Sequence, residues 1–402
     1  MLRVSLREDF AALRRTFDGK PLVYLDSAAS SLSPARVLSA EHTCREQNGA
    51  NVHRGRHALS EEASFAYAAA RERVARFLNA EPRSVVFVRS ATEGLNLVAR
   101  GSRLQRDDVV LTTTTQHHSN LLPWMREARV AFVRHDPCRS LEADELREAL
   151  RRHRPRVVAL QHASNVTGVI QPIAELCRVV REFDAISVID ASQSVPHLAL
   201  DVDALGCDFL AFSAHKMLGP KGVGVLWGRH GLLSRLEPLL LGGGAILSVN
   251  ESGYVLRPPP EGLEAGTPNV AGAVGLAAAI DYLDELGPAA ILAHGLELAE
   301  ALEDAIRGLP VQRILVSREA MRLPIASIVL RPAGITADQL ASMLSDENAV
   351  MVRSGLLCAH PLFAELGETH GAVRVSAYIY NQPAELQHFA QACGRLLERW
   401  TR

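Results

Sequence analysis

Two polar clusters in this 402-residue chain sit where a β-strand should end, and both carry groups able to do covalent chemistry. The run Ile186-Ser187-Val188-Ile189 leads into Asp190, with Gln193 three residues on, and Phe209-Leu210-Ala211-Phe212 leads into Ser213-Ala214-His215-Lys216. Ligands of doubly wound sheets bind outside the carboxyl ends of the strands, so two such strands would bring an amine and a carboxylate to one crevice. Taken singly, they read as an ordinary surface lysine and a helix-capping aspartate. The chain has only three lysines, however, Lys20, Lys216 and Lys221, among 43 basic residues. An amine for an aldehyde and a carboxylate for a ring nitrogen are what pyridoxal phosphate requires.

A phosphate needs free backbone N–H groups and a favourable helix dipole, which a strand-to-helix junction offers. Arg89-Ser90-Ala91-Thr92-Glu93-Gly94, after the apolar run Val85-Val86-Phe87-Val88, fits that need; it reads equally as a simple N-cap. Gln116-His117-His118-Ser119-Asn120 follows Val109-Val110-Leu111 and offers imidazoles to stack on a flat ring. Cys358 lies in Arg353-Ser354-Gly355-Leu356-Leu357-Cys358-Ala359-His360-Pro361, a Gly- and Pro-bounded segment of the kind that carries function. A free thiol of pKa about 8.5 is only a few per cent thiolate at pH 7, and Arg353 or His360 could raise that share. Flanked by leucines, Cys358 read without its surroundings is a packed cysteine.

The elements that must position these groups follow from periodicity. From about residue 83, short β-branched runs alternate with longer helical stretches, the pattern of a mostly parallel sheet covered by helices. Strands are expected at 85–88, 109–111, 131–133, 157–160, 186–189, 209–212 and 223–226, and helices at 61–78, 143–151 and 172–183. After Trp227 the rhythm stops in a passage rich in Gly and Pro, from Gly242-Gly243-Gly244 to Pro258-Pro259-Pro260, read as loop. An Ala-rich helix from 271 to 286 ends at Gly287-Pro288, and a new α+β pattern follows. The division expected is a helical extension at 1–21, a large domain at 22–285 and a small C-terminal domain at 286–402. Apolar residues at 48% and charged residues at 22% exclude disordered and low-complexity classes. A net charge of −2 gives no surplus for nucleic acid. The charged start and the lack of a long apolar window lead to the expectation of a cytoplasmic protein that neither enters a membrane nor binds nucleic acid. Six cysteines without a C-x-x-C pair suggest neither a metal site nor a disulfide framework.

Taken in order, the segments form a set. They are Tyr24-Leu25-Asp26-Ser27-Ala28-Ala29-Ser30, Asn51-Val52-His53-Arg54-Gly55, Ser90-Ala91-Thr92-Glu93-Gly94, His117-His118-Ser119-Asn120, Ser164-Asn165-Val166-Thr167-Gly168, Asp190-Ala191-Ser192-Gln193, Ser213-Ala214-His215-Lys216, Glu264-Ala265-Gly266-Thr267-Pro268-Asn269, Arg353 to Ala359, and Arg374-Val375-Ser376. That set resembles the cysteine desulfurases of the class V aminotransferase superfamily, and most of all their SUF-type (group II) branch. The resemblance implies an α/β protein of fold type I among pyridoxal phosphate enzymes. It would have a mostly parallel seven-stranded sheet in the large domain and a smaller α+β domain, and would form a homodimer with its sites at the interface. The implied reaction turns L-cysteine into L-alanine and leaves a persulfide on Cys358 for a sulfur-acceptor protein, in iron-sulfur cluster or other sulfur-compound assembly.

By the same resemblance Lys216 would carry the cofactor covalently, Asp190 would pair its ring nitrogen and His117 would stack on the ring. Gln193 and Asn165 would face the ring oxygen and the substrate. Ala91 through its backbone, with Thr92, Ser213 and His215, would hold the phosphate, joined by Thr267 of the other subunit. Arg374 would take the substrate carboxylate, with Ala28, His53, Asn165 and Arg353 nearby. No metal is implied. Three departures from the family pattern stand out: Leu356 and Leu357 replace two histidines, Ala91 a threonine and Gln116 a glutamate. Other class V chemistries (selenocysteine lyase, cysteine sulfinate desulfinase, transaminase or epimerase) share the Lys and Asp machinery without all needing Cys358. A non-catalytic scaffold partner would not need the set intact.

Overall fold

The computed structural model describes residues 4–331 and 334–400. Its main sheet has seven strands in the spatial order Val85–Val88, Gly224–Gly228, Phe209–Ser213, Ile186–Asp190, Val157–Gln161, Val109–Thr113, Arg129–Val133. All seven fall on the runs singled out in the sequence. Gly224–Gly228 runs antiparallel to both neighbours, and the other pairings are parallel. Most of these strands are buried along their whole length, which is why they read as continuous apolar runs and not as alternating ones. Gly224 is required where it stands: a Cβ there would lie 2.7 Å from the Phe212 carbonyl oxygen and 2.8 Å from Ser90 Cα. The close approach lets the helix Ala91–Gly101 begin directly above the sheet edge.

A second sheet, in the order Arg313–Val316, Ile325–Val329, Ala372–Ser376, Arg353–Gly355, is antiparallel and has its own apolar core with helices Pro288–Ile306, Ala337–Asn348 and Pro383–Trp400. Val23–Tyr24 pairs with Val350–Met351. At the expected boundary, Val23 and Leu25 pack into this smaller core while Leu22 packs into the main one. The expected helical extension is two short 3₁₀ turns, Val4–Asp9 and Ala11–Arg14, followed by a two-stranded ribbon. Phe10 anchors it, fully buried against Tyr282 and Tyr380.

The passage read as loop contains a β-hairpin, Ile246–Asn250 with Gly253–Leu256. Its residues are largely exposed on both faces, so no inside-outside alternation marks it in the sequence. Among the described residues no helix is long and apolar enough to cross a membrane. Cys138, Cys177, Cys207 and Cys393 are buried and free, Cys44 is half-buried, and Cys358 is exposed.

Candidate active site

Adjacent strands Ile186–Asp190 and Phe209–Ser213 end at the same sheet edge, Asp190 opposite Ala211. Asp190 is buried and its Oδ1 accepts the Ser192 N–H at 2.9 Å, so the carboxylate is fixed as it leaves the strand. Beyond Ser213 the chain tightens into the 3₁₀ turn Ala214–Lys216, which carries Lys216 over the same edge. Both line a cavity of about 280 Å³ together with Ala28, Ala91, Thr92, His117, Asn165, Ser213, His215, Arg353, Cys358 and Arg374. The structure therefore gathers most of the residues singled out by sequence.

Burial pushes the Lys216 amine below its usual range, opposed by the Asp190 carboxylate and reinforced by the Arg374 cation. A lysine so placed has more of its neutral, nucleophilic form. His117 is pushed down to about 4 by burial first and by Lys216 second, and so is neutral at physiological pH. Its Nδ1 accepts the Ser119 N–H at 3.1 Å, which leaves the ring proton on Nε2. His215 is likewise pushed down to about 4 by burial and then by Lys216 and Lys221.

At the other end of the cavity, Ser90 occupies the N-cap position of the helix Ala91–Gly101. The Ala91 N–H, expected to be open for a phosphate, donates to Ser213 Oγ at 2.8 Å. That bond leaves the Ser213 hydroxyl hydrogen to donate elsewhere. Thr92 Oγ1 and Ser119 Oγ lie 2.8 Å apart, so three hydroxyl-bearing residues converge on a helix N-terminus, a setting that attracts an anion.

Arg374 projects from the strand Ala372–Ser376, is buried, and donates to Asp26 Oδ1 at 2.9 Å and to the Asn165 carbonyl at 3.3 Å. Arg353, its cross-strand neighbour, donates to the other Asp26 oxygen at 2.7 Å. One carboxylate thus holds two guanidinium groups, leaving a net positive charge facing the cavity. Among the described residues, Arg374 Nε and Asn165 Oδ1 are buried without a hydrogen-bond partner. Buried polar groups are rarely left so, and a bound ligand with both an acceptor and a donor would satisfy them. Gln193 does not line the cavity; its Nε2 donates to the Ala28 carbonyl at 2.7 Å and so fixes a residue that does.

Cys358 stands on a loop with an unusual backbone. Gly355, Leu357 and Cys358 all have positive φ, at 99°, 50° and 54°. For Leu and Cys this left-handed conformation is strained, and such strain is characteristic of functional positions. The loop is strapped on both sides: Asn165 Nδ2 donates to the Leu357 carbonyl at 2.9 Å, and the His118 N–H donates to the Cys358 carbonyl at 2.8 Å. Cys358 lines the same cavity as Lys216 and Arg374.

Two further expected residues also lie outside the cavity. His53 does not line the cavity; its N–H donates to Ser64 Oγ at 2.8 Å and its ring meets Tyr67 edge-on. Thr267 lines a neighbouring cavity of about 400 Å³ with Tyr67, Phe87 and Arg89. Sequence reasoning gave no role to Asp26, Ser119, or the pairing of His118 with His360. Asp26 stood within a quoted motif, but nothing local shows that two arginines converge on it.

The residues from 23 to 389 match the family described as aminotransferase class-V. This chain belongs to that family. Among class V relatives, a probable cysteine desulfurase of Synechocystis sp. is 37% identical over 402 residues, covering 97% of this chain and 94% of that protein. Another from Streptomyces coelicolor is 40% identical over 397 residues, covering 95% and 94%. The apo structure of cysteine desulfurase from Thermococcus onnurineus NA1 superposes with a TM-score of 0.92 at 35% identity, covering 99% of both chains. Cysteine desulfurase CsdA of Escherichia coli gives 0.88 at 33% identity over the whole of both. These likenesses bear out the α/β class V fold with its seven-stranded sheet and smaller second domain.

Proposed function

We propose that this class V enzyme is a pyridoxal phosphate-dependent cysteine desulfurase that converts L-cysteine to L-alanine and keeps the sulfur as a persulfide on Cys358. The observation that carries the reading is one cavity shared by a buried amine, a cation prepared for a carboxylate and an exposed thiol. The family implies pyridoxal phosphate, and the residues fit it. Lys216 would hold it covalently, Asp190 would face its ring nitrogen, and His117 would lie against the ring. The hydroxyls of Thr92 and Ser213, at the helix N-terminus, would hold the phosphate with His215. When bound, the cofactor supplies an electron sink that makes the substrate Cα–H acidic and its Cβ–S bond labile.

The chain's own groups do the rest. Arg374 pairs with the substrate carboxylate through donors that Asp26 leaves open, a bidentate match suited to guanidinium. Lys216, held partly neutral by burial, takes the Cα proton and returns it. The Cys358 thiolate attacks the substrate sulfur: an S–S bond forms, the Cβ–S bond breaks, and its electron pair stays with the carbon skeleton. That skeleton gains the protons that make it alanine, and Cys358 is left one sulfur richer. An acceptor protein then removes the sulfur for cluster or other sulfur-compound assembly.

The same reading makes the working form a cytoplasmic homodimer. Thr267 lies outside its own chain's cavity, as expected if it serves the partner's phosphate. The hairpin Ile246–Leu256 leaves Leu247, Val249, Tyr254 and Val255 more than half exposed, as expected of a surface covered by another chain.

The test is alanine production from L-cysteine by the holoenzyme, with mass spectrometry for sulfur on the Cys358 peptide. Cys358→Ser should lose both, while L-cysteine still alters the cofactor spectrum. Full alanine production by Cys358→Ser, or wild-type turnover with no persulfide trapped, rejects the reading.

A further inference from the structure

His117 and His118 are neighbours in sequence, but only His117 faces the chemistry derived above. His118 faces the cysteine loop. Its backbone N–H donates to the Cys358 carbonyl at 2.8 Å, and its side chain reaches two residues further on. There Nε2 lies 2.8 Å from His360 Nδ1 and 3.3 Å from the His360 N–H, with the rings 4.5 Å apart. A backbone N–H can only donate, so His118 Nε2 is an acceptor, and His360 Nδ1 must donate to it as well. His118 is therefore a neutral imidazole with its proton on Nδ1.

His360 opens the helix His360–Leu366, whose N-cap residue, Ala359, has no side chain able to cap it. An imidazole from another loop supplies the missing acceptor to the first orphan N–H. The two ends of the reach bracket Cys358: one bond lies on its own carbonyl, the other two lie just past Ala359. Leu356 and Leu357 on the near side carry no polar group to do this.

We propose that His118 is a positioning residue for Cys358, holding the strained loop in place through a neutral imidazole that accepts from His360. The proposal rests on Cys358 being the sulfur-accepting thiol, but the clamp itself is a matter of loop geometry and can be measured apart from turnover. Burial first, and a charge on His360 second, disfavour protonation of the His118 ring, and the His117 ring centroid is 6.4 Å away. Protonating His118 would turn its acceptor into a donor facing two donors.

The experiment is amide hydrogen exchange of the peptide spanning 356–362 in the holoenzyme, with alanine formation measured alongside. His118→Ala removes the acceptor and should speed exchange about tenfold, the effect of one to two net hydrogen bonds. His118→Gln, which can present a carbonyl oxygen at similar reach, should restore protection to within about twofold, a rescue that a merely space-filling role would not give. His360→Ala keeps the backbone N–H and should give an intermediate rate. In turnover, His118→Ala should lower kcat while leaving the KM for cysteine unchanged. Unchanged exchange in His118→Ala, or equal loss in the Gln and Ala variants, overturns the clamp. The expected exchange pattern in a wild type that makes no alanine would support the clamp and reject the desulfurase reading.

Discussion

Leu357 is a bulky residue at φ 50°, where the left-handed backbone costs a non-glycine residue roughly 1–2 kcal/mol. It is nevertheless buried, packed in a small apolar cluster with Val166, Leu362 and Phe363. Truncating such a side chain costs about 2–5 kcal/mol, more than the strain it would relieve, so Leu357→Ala and Leu357→Gly should both destabilise. The comparison between those two variants isolates the backbone, because neither retains the side chain. At an ordinary loop position glycine is the less stable of the pair by about 0.5–1 kcal/mol of chain entropy. At Leu357 the relief of strain should reverse the order and leave Leu357→Gly more stable than Leu357→Ala by about 0.5–1 kcal/mol. Urea unfolding of the holoenzyme at fixed cofactor concentration reads the difference. The function should move the other way: with the loop freed to sample other conformations, Leu357→Gly should transfer less sulfur to Cys358 than Leu357→Ala. If Leu357→Gly unfolds at lower urea than Leu357→Ala, the loop is not strained at that residue and the argument from backbone conformation fails.

Asp26→Asn keeps the shape of the group that holds Arg374 and Arg353 but removes its charge, leaving Arg374 a buried cation without a charged partner. Stability should fall by roughly 3 kcal/mol and the KM for cysteine should rise; an unchanged unfolding midpoint would mean that Asp26 does not hold Arg374. His162 and His197 are buried and held neutral, pushed down to about 4 and about 3 by burial. Their folded pKa values lie below the unfolded value of about 6.5, so the unfolded chain binds more protons between these limits. Their contribution is complete above about pH 6.5 and is lost as the pH falls, by on the order of 3 to 5 kcal/mol each at the acid end. Urea midpoints should drop between pH 7 and pH 5, and His197→Phe should shrink the drop; a flat profile would contradict the neutral assignment. Lys216→Ala should leave no lysine that borohydride can link to the cofactor, whereas pyridoxyl label found on Lys20 or Lys221 would move the site.

What the sequence made legible is what burial dictates. Seven strands read as apolar runs because both faces of the sheet are covered, and Asp190 and Lys216 read as ligand groups because each ends such a run. The hairpin at 246–256 escaped because exposed strands carry no inside-outside pattern. The Asp26–Arg374 pair spans 348 residues and the His118–His360 pair 242, and no local rule relates residues so far apart. The backbone of Leu357 and Cys358 escaped for another reason: positive φ is ordinarily announced by Gly or Asn, and here it is imposed by tertiary packing on residues that resist it.

Where the resemblance to the SUF-type branch implies a histidine pair, Leu356 and Leu357 hold the nucleophile by apolar packing. Leu357 buries its side chain, with Leu356 packed against the same cluster, and that burial outweighs the strain of two successive left-handed residues. The polar function lies on the far side of Cys358, where His118 meets His360. On that division of labour, Leu357→His should add a polar group at the expense of the anchor. The variant should lose stability by about 2–3 kcal/mol and expose the loop to faster exchange. A Leu357→His variant as stable as the wild type would show that the apolar cluster is not what holds Cys358 in place.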